Sequence, residues 1–153
     1  MAIIGSRGVN LEAGESFVLA ASAARGATAV TNGTSVYIGG ERQRYIVILD
    51  VTAAGIDAPD TLDVYVDWSL DDVTFYNGGH FTQAIGTGGA VSFFAVWDPT
   101  TPGAADIAVT ADAAVHTIRP SLFGPYIRAR WVIVEGAGGG VVSFTFSVKG
   151  YAI

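Results

Sequence analysis

A chain of 153 residues in which half are hydrophobic and only 14% are charged has the size of one domain and can bury a core without crosslinks. It contains no cysteine, which excludes disulfide frameworks, thiolate zinc sites and cysteine nucleophiles. Its net charge of −6 argues against nucleic acid as a partner, and no window approaches the roughly 20 apolar residues of a membrane span. We expect a soluble protein made in the cytoplasm, with no nucleic-acid or membrane partner.

The low content of charged residues also bears on assembly. Soluble domains average about 25% charged residues, well above the 14% found here. Apolar surface that a monomer would expose is therefore expected to be covered by other subunits. The composition predicts a homo-oligomer.

In chain order, residues 1–15 are predicted to be an extended N-terminal arm and residues 16–153 a β-sandwich domain. No 3.6-residue apolar stripe runs through the alanine-rich stretch 20–29, which Gly26 interrupts, so no helix is predicted there. Tyr45–Val51 is apolar on both faces and is expected to be a central strand covered on both sides. The strands predicted in this half are Ser16–Ser22, Thr34–Ile38, Tyr45–Val51, Thr61–Ser69 and Val73–Tyr76.

The second half of the chain continues the pattern. Asn77-Gly78-Gly79 is a turn signal, followed by short strands at His80–Ile85 and Ala90–Trp97. Residues 98–114 form a proline-containing excursion with a short strand at 107–109. Tyr126–Val134 and Val141–Gly150 alternate in polarity and predict a closing hairpin around a glycine-rich turn.

These strands predict an all-β fold, a single antiparallel β-sandwich of the jelly-roll type. The period of two along each strand selects the residues that face the core. Those residues are Leu62, Val64, Val66, Trp68, Ile127, Trp131, Phe144 and Phe146.

The acidic residues invite a calcium site at Asp67, Asp71 and Asp72, because calcium prefers several oxygen ligands. The spacing lacks the ligand order of a calcium loop, and an aspartate pair at a turn ordinarily bonds its own backbone. The turn interpretation is therefore favoured, and no metal is predicted.

Asp63 and Asp67 lie on one strand face, roughly 13 Å apart, which is too far for the paired carboxylates of a glycosidase. We expect them to pair instead with Arg128 and Arg130 on a neighbouring strand or subunit, at about 0 to 1 kcal/mol for each pair.

The remaining candidates for chemistry are two histidines and three tryptophans. His80 and His116 lie in no motif and are expected to be ordinary strand residues, so we predict no catalytic residue, no cofactor and no enzyme. Trp68 and Trp131 lie on the same strand faces as the apolar residues predicted to face inward, so they are expected to belong to the core. Trp97, beside the excursion, is predicted to be exposed, and with Tyr65 it would form the platform of a carbohydrate-binding module.

Several strand and turn motifs together resemble a known family, the small β-sandwich virion proteins of tailed bacteriophages. The resemblance covers roughly residues 44–150 and is interrupted by the excursion. The segments that carry it are Ile48–Ala54, Leu62–Val64, Ser69–Tyr76, Phe81–Gln83, Phe123–Ala129 and Ser143–Val148.

The resemblance implies a structural virion protein, best placed as a decoration (cement) protein that binds the major capsid protein on the outer capsid surface and stabilises the shell. It also implies a homo-oligomer, with a trimer favoured. A tail or head-to-tail component is the alternative within the virion, and a carbohydrate-binding module is the alternative outside that class. The residues expected to contact partners are Ile3, Ile4, Val9, Leu11 and Trp97.

Overall fold

The computed structural model describes residues 14–39, 44–55, 57–101, 112–122 and 124–153, which form two antiparallel β-sheets packed against each other. The described residues contain no helix. The strands are β1 Ser16–Arg25, β2 Thr28–Asn32, β3 Val36–Tyr37, β4 Tyr45–Ala53, β5 Thr61–Ser69, β6 Phe75–His80, β7 Ala84–Ile85, β8 Val91–Trp97, β9 Thr117–Ile118, β10 Tyr126–Val134 and β11 Phe144–Ala152.

The order of the strands defines the architecture. One sheet has four strands in the order β1-β11-β4-β8, and the larger sheet has the order β2-β10-β5-β6-β9. The short strand β3 pairs with β10, and β7 pairs with β5. The longer strands thus form two four-stranded layers, β1-β11-β4-β8 and β2-β10-β5-β6, in which successive strands change layer except at the β5–β6 pair, and this is the jelly-roll arrangement of a β-sandwich. The predicted fold class is confirmed.

The core lies between the two sheets and follows the parity read from the sequence. All eight residues predicted to face inward are buried, and seven of them are at most 1% exposed. Because side chains alternate across a strand, the inward residues of β5 and β10 meet those of β4 and β11 from the opposite sheet. The side of each of these long strands that faces the core was therefore predicted correctly.

The predicted closing hairpin is wrong. β10 pairs with β5 in the larger sheet, whereas β11 pairs with β1 and β4 in the other sheet. The apolar faces of β10 and β11 oppose each other across the core, and the rings of Trp131 and Phe146 meet edge to face with centroids 5.7 Å apart. The glycine-rich segment between the strands crosses from one sheet to the other instead of forming a tight turn.

The predicted turn at Asn77-Gly78-Gly79 is also wrong, since these residues lie within β6. The glycines are needed there because tryptophan rings pack on the strand. A Cβ atom at Gly78 would lie 2.3 Å from Cδ1 of Trp68, and one at Gly79 would lie 2.9 Å from Cζ2 of Trp97. Close approach of side chains to the backbone, rather than a turn, explains this glycine pair.

One expectation for the first half of the chain is confirmed and another differs from the structure. The alanine-rich stretch 20–29 forms no helix, as predicted, and is largely strand, shared between the end of β1 and the start of β2. β4 is covered on one side only: Tyr45, Val47, Leu49 and Val51 face the core, whereas Ile48 on the other face is 42% exposed.

Most of the predicted arm lies outside the described residues, as do Ile3, Ile4, Val9, Leu11 and the predicted strand at 107–109. The last two residues of the arm, Gly14 and Glu15, continue the pairing of β1. The amide of Gly14 donates to the carbonyl of Ala152, whose own amide donates to Glu15.

Candidate functional site

A network of polar side chains covers the outer face of the larger sheet, and we call it the polar network. It is built on one row of paired residues, in which Tyr65 of β5 lies between Arg130 of β10 and His80 of β6. The His80 ring stacks on Tyr65 with centroids 4.1 Å apart, and the Arg130 guanidinium lies 4.2 Å from the Tyr65 centroid. The other members are Asp63, Asp67, Asn77, Asp112 and Arg128.

Asp67 is the acidic centre of the network and is only 3% exposed. Its carboxylate accepts hydrogen bonds from Nε of Arg130 at 3.0 Å, from Arg128 at 3.4 Å and from Nδ2 of Asn77 at 3.0 Å. The predicted pairing of Asp67 with both arginines is confirmed within one chain. Asp112 also binds Arg130, and although desolvation opposes the effect, these carboxylates raise the pKa of Arg130.

Asp63 does not pair with an arginine as predicted, because β6 brings His80 to it instead. The Oδ1 atom of Asp63 lies 2.8 Å from Nε2 of His80, and its Oδ2 accepts a hydrogen bond from Gln83 at 2.9 Å. Partial burial alone would raise the pKa of Asp63, but the hydrogen bonds from His80 and Gln83 lower it below its usual value of 3.8. His80 is thus a buried, partnered side chain.

The polar network also fixes the returning end of the excursion. The Nδ1 atom of His80 lies 3.2 Å from the carbonyl of Ala113, and the Ala113 amide donates to Oδ1 of Asn77 at 2.8 Å. Arg130 holds the neighbouring Asp112. Residues 112–113 therefore lie on the sheet through contacts with two strands, β6 and β10, so the network positions this segment.

Of the three aspartates considered as calcium ligands, Asp67 belongs to the polar network and Asp71 caps a turn. Oδ1 of Asp71 accepts hydrogen bonds from the amides of Val73 and Thr74, which lower the pKa of Asp71. Asp72 has a φ of 62° and bonds Ser35. Across the described ranges no three metal-ligating side chains come together. The turn interpretation of the sequence holds for Asp71.

The outer face of the four-stranded sheet has the opposite character. Two rows of paired residues cross it, Val18–Lys149–Ile48–Phe94 and Ser16–Tyr151–Ile46–Val96. Lys149 is the one charged residue of these two rows. We call the six large apolar or aromatic residues the apolar face; Phe94 is 73% exposed, Val18 51%, Ile48 42% and Tyr151 42%, with Ile46 and Val96 half-buried.

A cleft opens at the edge of the sandwich, beside the edge of β8 that faces away from β4. Its volume is about 310 Å³, and one wall is the run Ser92–Ala95 of β8. The other wall holds Thr82, His116 and Ile118, with Phe81 and His80 at the base. The hydroxyl of Thr82 bonds Nδ1 of His116 at 2.8 Å, and His116 has a φ of 64°, a conformation that is uncommon outside glycine.

Trp97, predicted to be an exposed contact residue, is fully buried. Its ring packs against Trp68 with centroids 6.1 Å apart, and its Nε1 donates to the carbonyl of Gly78. The expectation of an exposed Trp97 is wrong because β8 turns Val91, Phe93, Ala95 and Trp97 toward one side, and that side faces the core. The ring of Tyr65 is in contact with His80 and Arg130. Trp97 and Tyr65 therefore form no sugar platform.

Sequence reasoning missed the cleft, the exposure of Phe94 and the pair of His80 with Asp63. Alternation within Val91–Trp97 did carry a signal for the exposure of Phe94, since Phe94 lies on the opposite face of the strand from Trp97. The pair had no local signal, because Asp63 and His80 meet only through the pairing of β5 with β6, which is shifted at Val66 and Asp67.

No family model, curated protein or solved structure matches this chain. None of the described residues belongs to a helix that could cross a membrane.

Proposed function

We propose that this protein is a structural component of a virion, a decoration protein that binds the outer surface of the capsid and stabilises the shell. The observation that carries the proposal is the apolar face, in which Ile48 and Phe94 lie side by side on neighbouring strands and are exposed. Contiguous exposed apolar surface of this kind marks sites where other proteins bind. The resemblance of the strand and turn motifs to phage virion proteins supports the capsid as that partner.

The architecture suits this role. A jelly roll is a rigid platform that occurs among capsid proteins, although the fold alone does not define a function. A protein that stabilises a shell acts by burying surface against several subunits at once, for which a flat sheet face is appropriate. The polar network on the opposite sheet would then face solvent or the neighbouring copies, where charged and hydrogen-bonding groups remain hydrated.

The test is the abundance and location of the protein in purified particles. Quantitative mass spectrometry of intact virions, and of separated heads and tails, is expected to find it in heads at a copy number comparable to that of the major capsid protein. Heads that lack it are expected to release their DNA at a lower temperature. Recovery in tails alone would contradict the decoration function and favour a tail component instead.

The alternative of a carbohydrate-binding module loses its structural basis. That alternative required Trp97 and Tyr65 to present open ring faces, but Trp97 is buried and Tyr65 is stacked. The exposed aromatic residues of the apolar face, Phe94 and Tyr151, lie in different rows, and the neighbours of Phe94 are the aliphatic Ile48 and Val96. This composition favours a protein partner over a sugar.

A further inference from the structure

We propose that the cleft beside β8 binds the N-terminal segment of a neighbouring copy of this chain, which adds to β8 as an extra strand. The segment consists of residues 1–13. The inference deepens the proposed function, on which it rests for its biological setting, by naming a partner and a binding mode.

The free edge of β8 is the first observation. Within the described part of the chain β8 pairs with β4 alone, so its second edge has no strand partner along Ser92–Ala95. The strand Val91–Trp97 contains no charged residue, proline or glycine. Natural proteins usually protect edge strands with such residues, and an unprotected apolar edge is a template for strand addition.

The shape of the cleft selects a slender occupant. Thr82, His116 and Ile118 form a second wall opposite β8, and beyond the cleft the edge is closed where the amide of Asp98 donates to the carbonyl of Pro120. A second intact sheet would collide with that wall, whereas one extended segment fits between the wall and β8. The lining has no carboxylate and no basic side chain other than histidine, which suits an occupant of apolar and small residues.

The N-terminal segment has the required chemistry. Its apolar residues are separated by glycine, serine and asparagine, and its charged side chains are one basic residue, Arg7, and one acidic residue, Glu12. The segment thus carries no net side-chain charge, which suits a cleft whose lining has no carboxylate and no lysine or arginine. The residues available for apolar pockets are Ile3, Ile4, Val9 and Leu11.

The position of Gly14 favours a neighbouring copy over the same chain. Gly14 lies beside β1, and β1 and β8 are opposite edges of the four-stranded sheet, separated by three interstrand spacings or about 14 Å. Leu11 is three residues before Gly14 and reaches at most about 11 Å from it, so it cannot enter the cleft of its own chain. A head-to-tail arrangement places the β1 edge of one copy next to the β8 edge of the next, so the segment enters the cleft directly. Repeated contacts of this kind close into a ring when the rotation permits, consistent with the trimer that the resemblance implies.

The test uses two full-length variants in solution, without capsids. The segment variant carries Val9→Asp and Leu11→Asp, and the cleft variant carries Thr82→Arg, which fills the cleft without altering the apolar face. Each alone is expected to associate at least about tenfold more weakly than the unmodified chain, as for loss of a central contact. An equimolar mixture is expected to recover association as pairs, because the cleft variant still offers its segment and the segment variant still offers its cleft.

Sedimentation velocity measures association, and far-UV circular dichroism checks folding. The matched control is Val73→Arg, a substitution to arginine at an exposed position. Phe94→Asp is a second cleft variant with an exposed side chain, in case Thr82→Arg fails to fold. Hydrogen exchange is expected to slow at Ser92–Ala95 on association. A monomeric unmodified chain, a segment variant that associates normally, or a mixture that does not recover would each overturn the proposal. These outcomes are independent of whether the protein occurs in virions.

Discussion

Asp67 is the residue on which the charge balance of the larger sheet depends, because it partners Arg128, Arg130 and Asn77 while it is almost fully buried. The sequence predicted the arginine partners but placed the pairs on the surface, where each would contribute little. Burial changes that expectation, since removal of one partner of a buried pair leaves the other charges desolvated and unpaired.

Replacing Asp67 should therefore lower the free energy of unfolding far more than replacing Asp112, another carboxylate of the same network. We expect Asp67→Ala to lower the free energy of unfolding by about 2 to 4 kcal/mol. This loss is smaller than for a fully buried pair because both arginines are partly exposed. Asp112→Ala, whose side chain is 48% exposed, should cost at most about 1 kcal/mol. Urea denaturation measures both, and equal losses would show that burial of Asp67 does not matter.

Asp63 provides a dependence on pH that can be assigned to one carboxyl group. Its folded-state pKa lies below the unfolded value of 3.8, because the hydrogen bonds from His80 and Gln83 outweigh the effect of burial. A group with a lowered folded pKa stabilises the protein above its unfolded pKa, and that contribution disappears as the pH falls through the folded pKa.

The variant Asp63→Asn should therefore be less stable than the unmodified chain at pH 7, and the difference should shrink below pH 3.8. Thermal unfolding across this range measures the difference, and Asp50→Asn, an aspartate on β4 that bonds Ser92, is the control. A difference that stayed constant down to the lowest pH would mean that ionisation of Asp63 does not contribute.

At the scale of the strands, the long elements were predictable because their signal is local. β5 and β10 were assigned with their observed limits, since alternation over nine residues fixes both the strand and its inward face. What could not be predicted is how strands associate across the chain. The membership of β10 and β11 in different sheets, and the burial of Gly78 and Gly79 under Trp68 and Trp97, depend on contacts between distant segments.

The candidate site was predictable only in part for the same reason. The pairing of Asp67 with the arginines followed from parity on two strands, whereas the pair of Asp63 with His80 required the shifted register between β5 and β6. The outward orientation of Phe94 follows from alternation along β8, whereas the place of β8 beside β4 alone among the described strands could not be predicted, because alternation does not distinguish an edge strand from a central one.

The register of β11 has a direct test in two aromatic residues of opposite orientation. Phe146 is fully buried and contacts Trp131 across the core, whereas Tyr151 is 42% exposed on the outer face. Phe146→Ala should lower the free energy of unfolding by about 3 to 5 kcal/mol, because it leaves a cavity. Tyr151→Ala should cost about 1 kcal/mol or less. A reversed order of the two losses would place the strand one residue out of register.

At the scale of the whole molecule, the two outer faces differ in a way that predicts separate roles. The larger sheet carries a satisfied polar network, which needs no partner to compensate its charges. The four-stranded sheet exposes Val18, Ile48 and Phe94 around a single lysine, and the adjacent cleft offers an edge of β8 that has no strand partner within the described ranges. Binding of the shell and association of copies would thus use neighbouring parts of one sheet that meet at Phe94.

Variants of the apolar face can separate these two roles. Val18→Lys combined with Ile48→Lys should leave the sandwich folded, because both side chains are already exposed, and should weaken binding to undecorated capsids by at least about tenfold through the loss of central apolar contacts. Self-association through the cleft should be unchanged, since neither residue lines it. Cosedimentation with capsids and sedimentation velocity of the free protein measure the two effects. Normal capsid binding by this variant would exclude the apolar face as the shell-binding surface, whereas loss of self-association as well would show that the face and the cleft act as one interface.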